Sequence, residues 1–397
     1  MRGIQVGRGF GIPIRLHWSF LLVLPLFAFI IGLDIATLTE LLNDVLGAGL
    51  DPAALEGEYL PWVLGLTAAL GLFTGVLLHE FGHSLVAMRY GYEIDSITLW
   101  LLGGLASFTE MPEDWRQEFW ISVAGPIVSV GVGIACYGGF LVTPVDIEPL
   151  RFLFGYLALL NIVLAVFNML PAFPMDGGRV LRALLARKRP HARATQLAAE
   201  VGKLFAFLLG AVGLLSLNIV LILLAFFIYI AASGEAQQTV MKATFEGVRV
   251  RDVMTARVDL HTVSPETTVA TLIERMFKER HTGYPVVDSG VVVGMVTLDD
   301  ARDVRPEERE AFLVEDVMSS DVVSISPDAD AMETLQTLRE HDIGRLPVVT
   351  EGGDFVGLVS RTDLMTAFDV LQGGGGLNSI LRSPSKPDNR VTNRRSW

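Results

Sequence analysis

The chain contains one cysteine and few lysines, and long parts of it carry almost no charge. The lone Cys136 excludes an internal disulfide. A cleavable signal peptide is not expected, because the first apolar run, residues 16–33, is longer than a signal core and lacks a small-residue cleavage site. Lysine and arginine are also missing from residues 34–59, although acidic residues occur there. These absences exclude a disulfide-stabilised secreted protein and favour a membrane protein.

Apolar residues are abundant: 51% of the 397 residues are hydrophobic, and the mean hydropathy is +0.46. The formal net charge is nevertheless -13. A chain of this length is expected to hold two or more domains. The combination indicates a membrane domain joined to an acidic soluble part, and it gives no reason to expect a nucleic-acid partner.

Four apolar runs, at residues 16–33, 60–88, 119–142 and 152–170, come close to or exceed the roughly 20 residues that a membrane helix requires. The longer run 194–232 can hold two more helices, with a turn near 216–218. The sequence therefore predicts six membrane helices, with five longer helices as the competing count. Residues 94–108 are apolar but interrupted by Gly103 and Gly104, and they are predicted to form a small hairpin or sheet beside the helices.

The distribution of arginine predicts the orientation of these helices. Basic residues precede the first helix, follow the second and precede the third. A basic cluster follows the fourth helix and consists of Arg182, Arg187, Lys188, Arg189 and Arg193. Positively charged loops remain on the cytoplasmic side of a membrane. With six helices, both termini of this multi-pass protein of the cell membrane are expected in the cytoplasm.

Residues 77–84 read Leu-Leu-His-Glu-Phe-Gly-His-Ser and lie within the second apolar run. His79 and His83 are four residues apart, so on a helix they share one face, about 5–6 Å apart at Cβ, and can reach the same metal ion. Glu80 follows His79 directly, as in the H-E-x-x-H pattern of zinc proteases. This short pattern also occurs by chance, but ionisable groups inside a membrane helix are costly and mark functional sites.

A catalytic zinc ion takes three protein ligands and keeps one position open. Asp176 is the best candidate for the third ligand, because it lies just after the fourth helix and on the same predicted side of the membrane as His79. The Pro-Ala-Phe-Pro sequence before it ends the helix, and the two glycines after it permit tight turns. The carboxylate is therefore expected on an unwound segment. In other settings an Asp-Gly-Gly sequence is typical of an ordinary turn.

These motifs resemble those of the site-2 protease family of intramembrane zinc metalloproteases. The resemblance covers residues 1–235 and rests on residues 79–83, Gly103-Gly104, Ala124-Gly125-Pro126 and residues 168–178. It implies one zinc ion bound by His79, His83 and Asp176. It also implies a general base at Glu80, and at Asn168 a side chain that holds substrate or the oxyanion.

The resemblance further implies that the substrate is a transmembrane segment of another protein, cut within the lipid bilayer in regulated intramembrane proteolysis. A helix hides its amide bonds in its own hydrogen bonds, so the substrate must unwind before attack. The segment 94–108 can offer an edge strand to the unwound peptide. Simple packing against the helices is the alternative role for this segment.

After residue 245 the chain becomes charged and repeats itself. Residues 252–255 recur as 316–319, residues 283–287 as 345–349, and residues 294–300 as 357–363. Repetition at a fixed spacing is evidence of two copies of one unit. The copies resemble a pair of cystathionine-β-synthase-type (CBS) domains over about residues 249–371. The resemblance implies an α/β pseudo-dimer that in many members binds AMP or ATP and associates with a second pair, here as a homodimer.

In the CBS family a Ser/Thr-x-x-Asp step at the end of each copy contacts the ribose of the nucleotide. The matching positions are Thr297, Asp300, Ser360 and Asp363. The same spacing is also a helix N-cap pattern, so a nucleotide site and a simple cap both remain open at this point.

The predicted fold is a polytopic α-helical membrane protein followed by a cytoplasmic α/β tandem CBS-domain module. Its expected parts are an intramembrane zinc metalloprotease domain at 1–235, a linker at 236–248, CBS domains at 249–311 and 312–372, and a disordered tail at 373–397.

Two other functions fit parts of this pattern. A CBS-gated transporter or channel with a metal site would need polar residues distributed along several helices. A binding protein with a structural zinc ion would need a closed set of four ligands, whereas the sequence offers three and a glutamate beside them.

Overall fold

A computed structural model describes residues 3–101, 103–108, 112 and 114–373. The chain forms two compact units, the first ending at Thr239 and the second beginning at Val240. Apart from Gly373, the tail predicted at 373–397 lies outside the described residues.

The helices of the first unit, in chain order, are α1 (Phe20–Leu33), α2 (Ile35–Leu46), α3 (Pro52–Leu55), α4 (Leu60–Arg89), α5 (Trp115–Val142), α6 (Glu148–Asn168), α7 (Asp176–Ala186), α8 (His191–Leu215) and α9 (Ile219–Phe245). Within the described residues, five of them (α4, α5, α6, α8 and α9) are long and apolar enough to cross a membrane. The pair α1 and α2, bent by 73°, makes a sixth if it is one span. The turn predicted near 216–218 is confirmed, because it separates α8 from α9.

The start of the first helix was predicted wrongly at Leu16. Leu16 ends a β-strand, and α1 begins only at Phe20. The alternating Ile12, Ile14 and Leu16 extend the apolar run but follow the period of a strand. Helix α1 is about 21 Å long, at 1.5 Å per residue, and so is shorter than the apolar core of a bilayer, about 30 Å.

A four-stranded sheet lies at the start of α1. Its strands are β1 (Ile4–Gly9), β2 (Ile12–Leu16), β3 (Ile94–Trp100) and β4 (Gly103–Phe108), in that spatial order. Strands β2 and β3 run parallel, and the outer pairs run antiparallel. The sheet packs on α4, where Ile12 and Ile97 enclose Phe81. The hairpin predicted at 94–108 is thus confirmed, although it belongs to a larger sheet that includes the N-terminal strands.

Helix α1 lies against α4 in the opposite direction. Gly32, near the end of α1, leaves room for Trp62 at the start of α4, and the Phe20 and Phe73 rings lie 4.7 Å apart. At the far end, the start of α6 meets the connection between α2 and α4. The Asp51 amide donates to Glu148 Oε2 at 2.9 Å there. These contacts place residues 34–59 and the start of α6 at the same end of the helices.

The second unit contains helices α10 (Val250–Val253), α11 (Val269–Glu279), α12 (Leu298–Arg302), α13 (Val314–Val317), α14 (Ala331–Glu340) and α15 (Arg361–Gly373), with strands β5 (Thr255–Ala256), β6 (Gly283–Asp288), β7 (Val291–Thr297), β8 (Arg345–Val349) and β9 (Phe355–Ser360). Residues 236–245, within the predicted linker, are helical because α9 continues to Phe245.

The two copies exchange short strands. Thr255 of the first copy pairs with Leu358 in β9 of the second, and Ser319 of the second bridges Met295 in β7 of the first. These positions correspond within the sequence repeat, so the copies are related by an approximate twofold axis. The reciprocal exchange explains why two copies are needed to complete one compact module.

Candidate active site

Helix α4 places two imidazoles side by side in the interior. His79 and His83 are 4% and 7% exposed, and their Nε2 atoms lie 3.1 Å apart. The spacing of four residues puts both rings on one helix face. His79 lies 19 residues after the start of the helix, which is about 28 Å along its axis. The pair therefore lies towards the end of α4 that carries Arg89.

Helix α7 supplies a carboxylate to the same point. Asp176 Oδ2 lies 3.1 Å from the Nε2 atom of each histidine, and the residue is 9% exposed. The three residues predicted as metal ligands are thus brought together from positions almost a hundred residues apart.

One detail of the prediction for Asp176 was wrong. Asp176 is the first residue of α7 rather than part of an unwound stretch. The irregular segment is the one before it, residues 169–175. Gly177 and Gly178 allow the first turn of α7 to pack on that segment, since a Cβ at Gly178 would lie 2.7 Å from the backbone of Ala172 and Phe173. This close packing fixes the position of the first turn of α7 and therefore of the Asp176 carboxylate.

The outer nitrogen of each ring is held by α5. His83 Nδ1 lies 2.7 Å from the carbonyl oxygen of Ile121, and His79 Nδ1 lies 2.9 Å from the hydroxyl of Ser129. A carbonyl oxygen only accepts hydrogen bonds, so Nδ1 of His83 carries the hydrogen and a neutral ring leaves a lone pair on Nε2. Such outer contacts orient metal-binding histidines. Neither contact could be predicted from the sequence, because the partners lie 38 and 50 residues apart along the chain.

The geometry of the three inner atoms fits a zinc ion. A tetrahedral ion with bonds of about 2.0–2.1 Å sets neighbouring ligand atoms roughly 3.3 Å apart. The observed triangle has sides of 3.1 Å. With both rings neutral and protonated on Nδ1, two imidazole nitrogens and a carboxylate oxygen present lone pairs to one buried point. Nitrogen and carboxylate oxygen atoms in this arrangement are the donor set of a divalent metal such as zinc.

Glu80 follows His79 on α4, is half-buried, and lies against β4, the last strand of the sheet. A Cβ at Gly104 would overlap the Cγ of Glu80 and lie 2.9 Å from its Oε1. The Glu80 side chain can therefore occupy this position only because residue 104 is glycine. Strand β4 has β3 on one side only, so its other edge is free of strands in the described part of the sheet.

Asn168 is the last residue of α6, directly before the segment that leads to Asp176. Its amide nitrogen donates to the carbonyl of Leu164, one turn earlier, at 3.1 Å. The residue is half-buried. The structure thus places Asn168 at the helix end, with the side chain directed back along α6.

One face of α5 makes the supporting contacts of the site. Glu118, Ile121, Gly125 and Ser129 recur every three or four residues, which is the spacing of a single helix face. Gly125 leaves room for both imidazoles, since a Cβ there would lie 2.8 Å from His79 Nε2 and would overlap His83 Nε2. The periodicity of this face was visible in the sequence, but small and polar residues at helical spacing are too common to be read as a site.

Arg182, which the sequence groups with the basic cluster after the fourth helix, is buried. It is 4% exposed, and its guanidinium binds Glu118 at 2.6 Å and Glu235 at 2.5 Å. Arg187, Lys188 and Arg189 of the same cluster are exposed. The sequence could not separate the buried arginine from its neighbours, because both partners lie more than fifty residues away.

In the second unit, the four candidate nucleotide residues form two matching helix caps. Asp300 Oδ2 accepts from the backbone amide and the hydroxyl of Thr297, at 2.7 Å each, at the start of α12. Asp363 binds Ser360 in the same way at the start of α15. These side chains therefore perform the capping role that the sequence left open. A nucleotide hydroxyl would have to join or displace these bonds.

A cavity of about 170 Å³ lies between the two copies. Its lining residues are Val291, Val292, Val322, Ser324, Pro347, Val349 and Gly353. The four capping residues do not line it, although all four belong to the described part of the chain. The cavity is apolar on most sides and comes from both copies.

The described residues thus combine helices long and apolar enough to cross a membrane with a buried His-His-Asp cluster whose geometry suits a metal ion, and an acidic residue follows the first histidine of the cluster. Comparison with known proteins agrees. The pattern of Peptidase family M50 matches residues 67–147 and 144–209, and that of the CBS domain matches residues 250–307 and 314–370. Both matches fall on the stretches that carry the motifs.

Relatives resemble this chain over nearly its full length. It is 35% identical over 371 residues to the zinc metalloprotease MJ0392 of Methanocaldococcus jannaschii, covering 93% of this chain and 97% of that protein. It is 33% identical over 402 positions to Rip3 of Mycobacterium tuberculosis, covering 97% and 98% respectively. A solved site-2 protease from Methanocaldococcus jannaschii is 36% identical and covers 59% of this chain and 95% of its own, with a TM-score of 0.41.

The chain belongs to Peptidase family M50, the site-2 protease family, and is a zinc metalloprotease with a tandem pair of CBS domains. This membership decides against the transporter, the channel and the structural-zinc binding protein.

Proposed function

We propose that the protein is an intramembrane zinc endopeptidase that cuts transmembrane segments of other membrane proteins. The observation that carries the proposal is the buried triangle of His79, His83 and Asp176, with sides of 3.1 Å. Glu80 directly follows His79 on the same helix. Three ligands leave the fourth position of a tetrahedral ion open, which is the arrangement of a catalytic rather than a structural zinc site.

The residues divide the chemistry between them. His79, His83 and Asp176 hold the zinc ion, which when bound supplies a Lewis acid that polarises the scissile carbonyl and lowers the pKa of water at the open position. Glu80 accepts the proton of the attacking water and later delivers it to the leaving amine. Ser129 and the Ile121 carbonyl keep the imidazoles turned towards the metal. Asn168 is proposed to hold the substrate or the oxyanion, as the family resemblance implies.

Strand β4 is proposed to receive the substrate. A transmembrane helix must unwind before its amide bonds can be attacked, and the unwound peptide then needs partners for its backbone groups. The free edge of β4 offers such partners by strand addition. Glu80 lies directly against Gly104 of that strand. A peptide added at this edge would therefore run beside the general base.

The protein is proposed to lie in the cell membrane with both termini in the cytoplasm. Residues 34–59, which lack lysine and arginine, meet the start of α6 through the Asp51–Glu148 contact. Both segments therefore belong to the same end of the helices and are assigned to the non-cytoplasmic side. The exposed Arg187, Lys188 and Arg189 follow α7 and are assigned to the cytoplasmic side. Asp176 precedes them, so the metal centre would face the cytoplasm.

The CBS pair is proposed to regulate the protease by binding an adenine nucleotide, AMP or ATP. Thr297, Asp300, Ser360 and Asp363 are the residues proposed to contact the ribose, and the cavity between the copies offers apolar walls for a base. A nucleotide can alter activity only if it binds the active and inactive states with different affinity. Association of two CBS pairs into a homodimer is part of the same proposal.

The test is cleavage of a model transmembrane substrate by purified full-length protein, with zinc content measured in each sample. Glu80→Gln should retain zinc and lose cleavage by a factor of about 10²–10⁴, the usual contribution of a general base. Glu58→Gln, at an exposed position just before the opposite end of α4, is the matched control and should cut normally. Normal cleavage by Glu80→Gln would refute the assignment of Glu80 as general base. Purified wild-type protein that contains no zinc would refute the assignment of the metal ligands.

A further inference from the structure

A buried network of charges joins three helices beside the metal centre. Arg182 on α7 donates from Nε to Glu118 on α5 and from a terminal nitrogen to Glu235 on α9. Arg182 and Glu118 are 4% and 3% exposed, and the Glu235 side chain is 28% exposed. A buried charge is costly unless an oppositely charged partner and hydrogen bonds compensate it, and both bonds of Arg182 end on carboxylates.

A fourth helix reaches the same cluster. His191, at the start of α8, places its Nε2 atom 3.7 Å from Glu118 Oε2. Glu118 thus lies between Arg182 and His191. None of these four side chains is used by the proposed mechanism.

The network acts on the helix that carries Asp176. Arg182 lies six residues after Asp176, which is about 9 Å along α7. The Arg182 guanidinium also lies 5.2 Å from the centre of the Phe173 ring, in the segment that leads into Asp176. Phe173 is 1% exposed and packs on α8 and α9 through Ala198 and Ala232. Arg182 therefore contacts both the body of α7 and the segment before it.

Helix α7 depends on its contacts with other helices for its position. It is 11 residues long, and isolated helices of this length are marginal in water. The partner helix α5 holds the outer nitrogens of His79 and His83 through Ser129 and Ile121. The Arg182–Glu118 bond thus attaches the carboxylate-bearing helix to the helix that orients the two imidazoles.

We propose that Arg182 is a positioning residue of the metal centre: its ion pairs with Glu118 and Glu235 fix α7 so that Asp176 reaches the two histidines. This inference rests on the proposed function, because it takes Asp176 to be a zinc ligand. Arginine suits the role because its planar fork can bind two carboxylates in fixed directions, whereas lysine offers a single point charge.

The experiment is a double-mutant cycle on zinc affinity in the full-length protein. Zinc dissociation constants are measured by competition with a chelator for the wild type, Arg182→Met, Asp176→Asn and the double variant. Arg182→Met should weaken zinc binding by about 10–100-fold, the usual effect of losing an outer partner of a metal site. In the Asp176→Asn background the same change should have little further effect, because coupled residues are not additive.

Two further variants keep the experiment decisive. Arg182→Lys retains the charge but not the fork, and it should lie between wild type and Arg182→Met in zinc affinity. It replaces Arg182→Met in the cycle if that variant does not fold. Arg189→Met removes an exposed arginine just beyond the end of α7 and should leave zinc affinity unchanged.

The possible results separate the two proposals. Unchanged zinc affinity in Asp176→Asn would overturn the ligand set, and the positioning role with it. If the losses of zinc affinity in Asp176→Asn and Arg182→Met simply add in the double variant, only the positioning role of Arg182 would be overturned. Lower thermal stability in Arg182→Met with wild-type zinc affinity would also overturn it, since this is the result expected of a purely structural ion pair.

Discussion

Gly125 lies directly against the imidazole of His83, so close that a methyl group at Gly125 would overlap the Nε2 atom of the ring. The same methyl group would lie 2.8 Å from His79 Nε2. The α5 backbone thus forms one wall of the metal centre. Close helix approach at small residues is common in membrane proteins, but here the space is taken by two ring nitrogens rather than by another helix.

Gly125→Ala is therefore expected to abolish stoichiometric zinc binding. The added methyl group must displace both imidazoles, and buried interiors have no spare volume for such a shift. Zinc content of the purified protein is the measurement. Gly131→Ala is the matched control on the same helix, because a Cβ at Gly131 meets no atom within 4 Å. Equal zinc content in both variants would contradict the described geometry.

Ser129→Ala is expected to weaken zinc binding by roughly 10-fold or more, because outer hydrogen bonds orient the metal-binding ring. The hydroxyl lies 2.9 Å from His79 Nδ1, and both residues are buried. The zinc dissociation constant is the readout. Ser216→Ala, which removes an exposed hydroxyl bonded only to its own helix backbone, should bind zinc as the wild type does. Indistinguishable affinities in the two variants would show that Ser129 has no orienting role.

Gly104→Ala is expected to reduce cleavage strongly and to leave zinc binding intact. A methyl group there would collide with the Glu80 side chain. Zinc binding should be unaffected, because Glu80 is not one of the three predicted ligands His79, His83 and Asp176. The general base would move away from its position, and misplacement by about 1 Å can cost 100-fold in rate. Cleavage rate and zinc content are measured together. Gly7→Ala in strand β1, where a Cβ meets no atom within 4 Å, is the control.

The second unit should lose stability in acid through Glu279. Burial raises the pKa of this carboxyl, but hydrogen bonds from Tyr284 and Arg275 outweigh it, so the pKa lies below its usual 4.5. A carboxyl with a lowered pKa stabilises the folded state above pH 4.5 and loses that contribution as the pH falls through its folded value. The measurement is the thermal unfolding temperature as a function of pH, from about pH 7 down to about pH 3. This temperature should fall as Glu279 becomes protonated.

Glu279→Gln is expected to unfold at a lower temperature than the wild type near neutral pH and to approach it in acid, because the charge is then absent from both. Glu315→Gln, at an exposed position of the same unit, serves as the control. A constant difference between Glu279→Gln and wild type at every pH would mean that the ionised carboxylate contributes nothing specific to folding.

Several features of the fold could be read from the sequence because they depend on neighbours along the chain. The four-residue spacing of His79 and His83 places them on one helix face in any helix. The length of the apolar runs indicated membrane helices. The internal repeat indicated a paired module. The start of α1 was read wrongly because a strand and a helix can both be apolar. The short alternation of Ile12, Ile14 and Leu16 is typical of a strand, and the pairing of Ile14 and Leu16 with β3 shows that it is one.

The sequence by itself thus determined the class of protein, the motifs and the three residues predicted to bind the metal, which the structure brings together. Only the tertiary structure decided what surrounds them: the Ser129 hydroxyl 50 residues from His79, the Gly104 backbone against Glu80, and the Arg182 side chain buried between α5 and α9. Spacing along a helix fixes contacts within one or two turns. Contacts between distant segments depend on how whole helices pack, and that packing is set jointly by all the side chains of the interior.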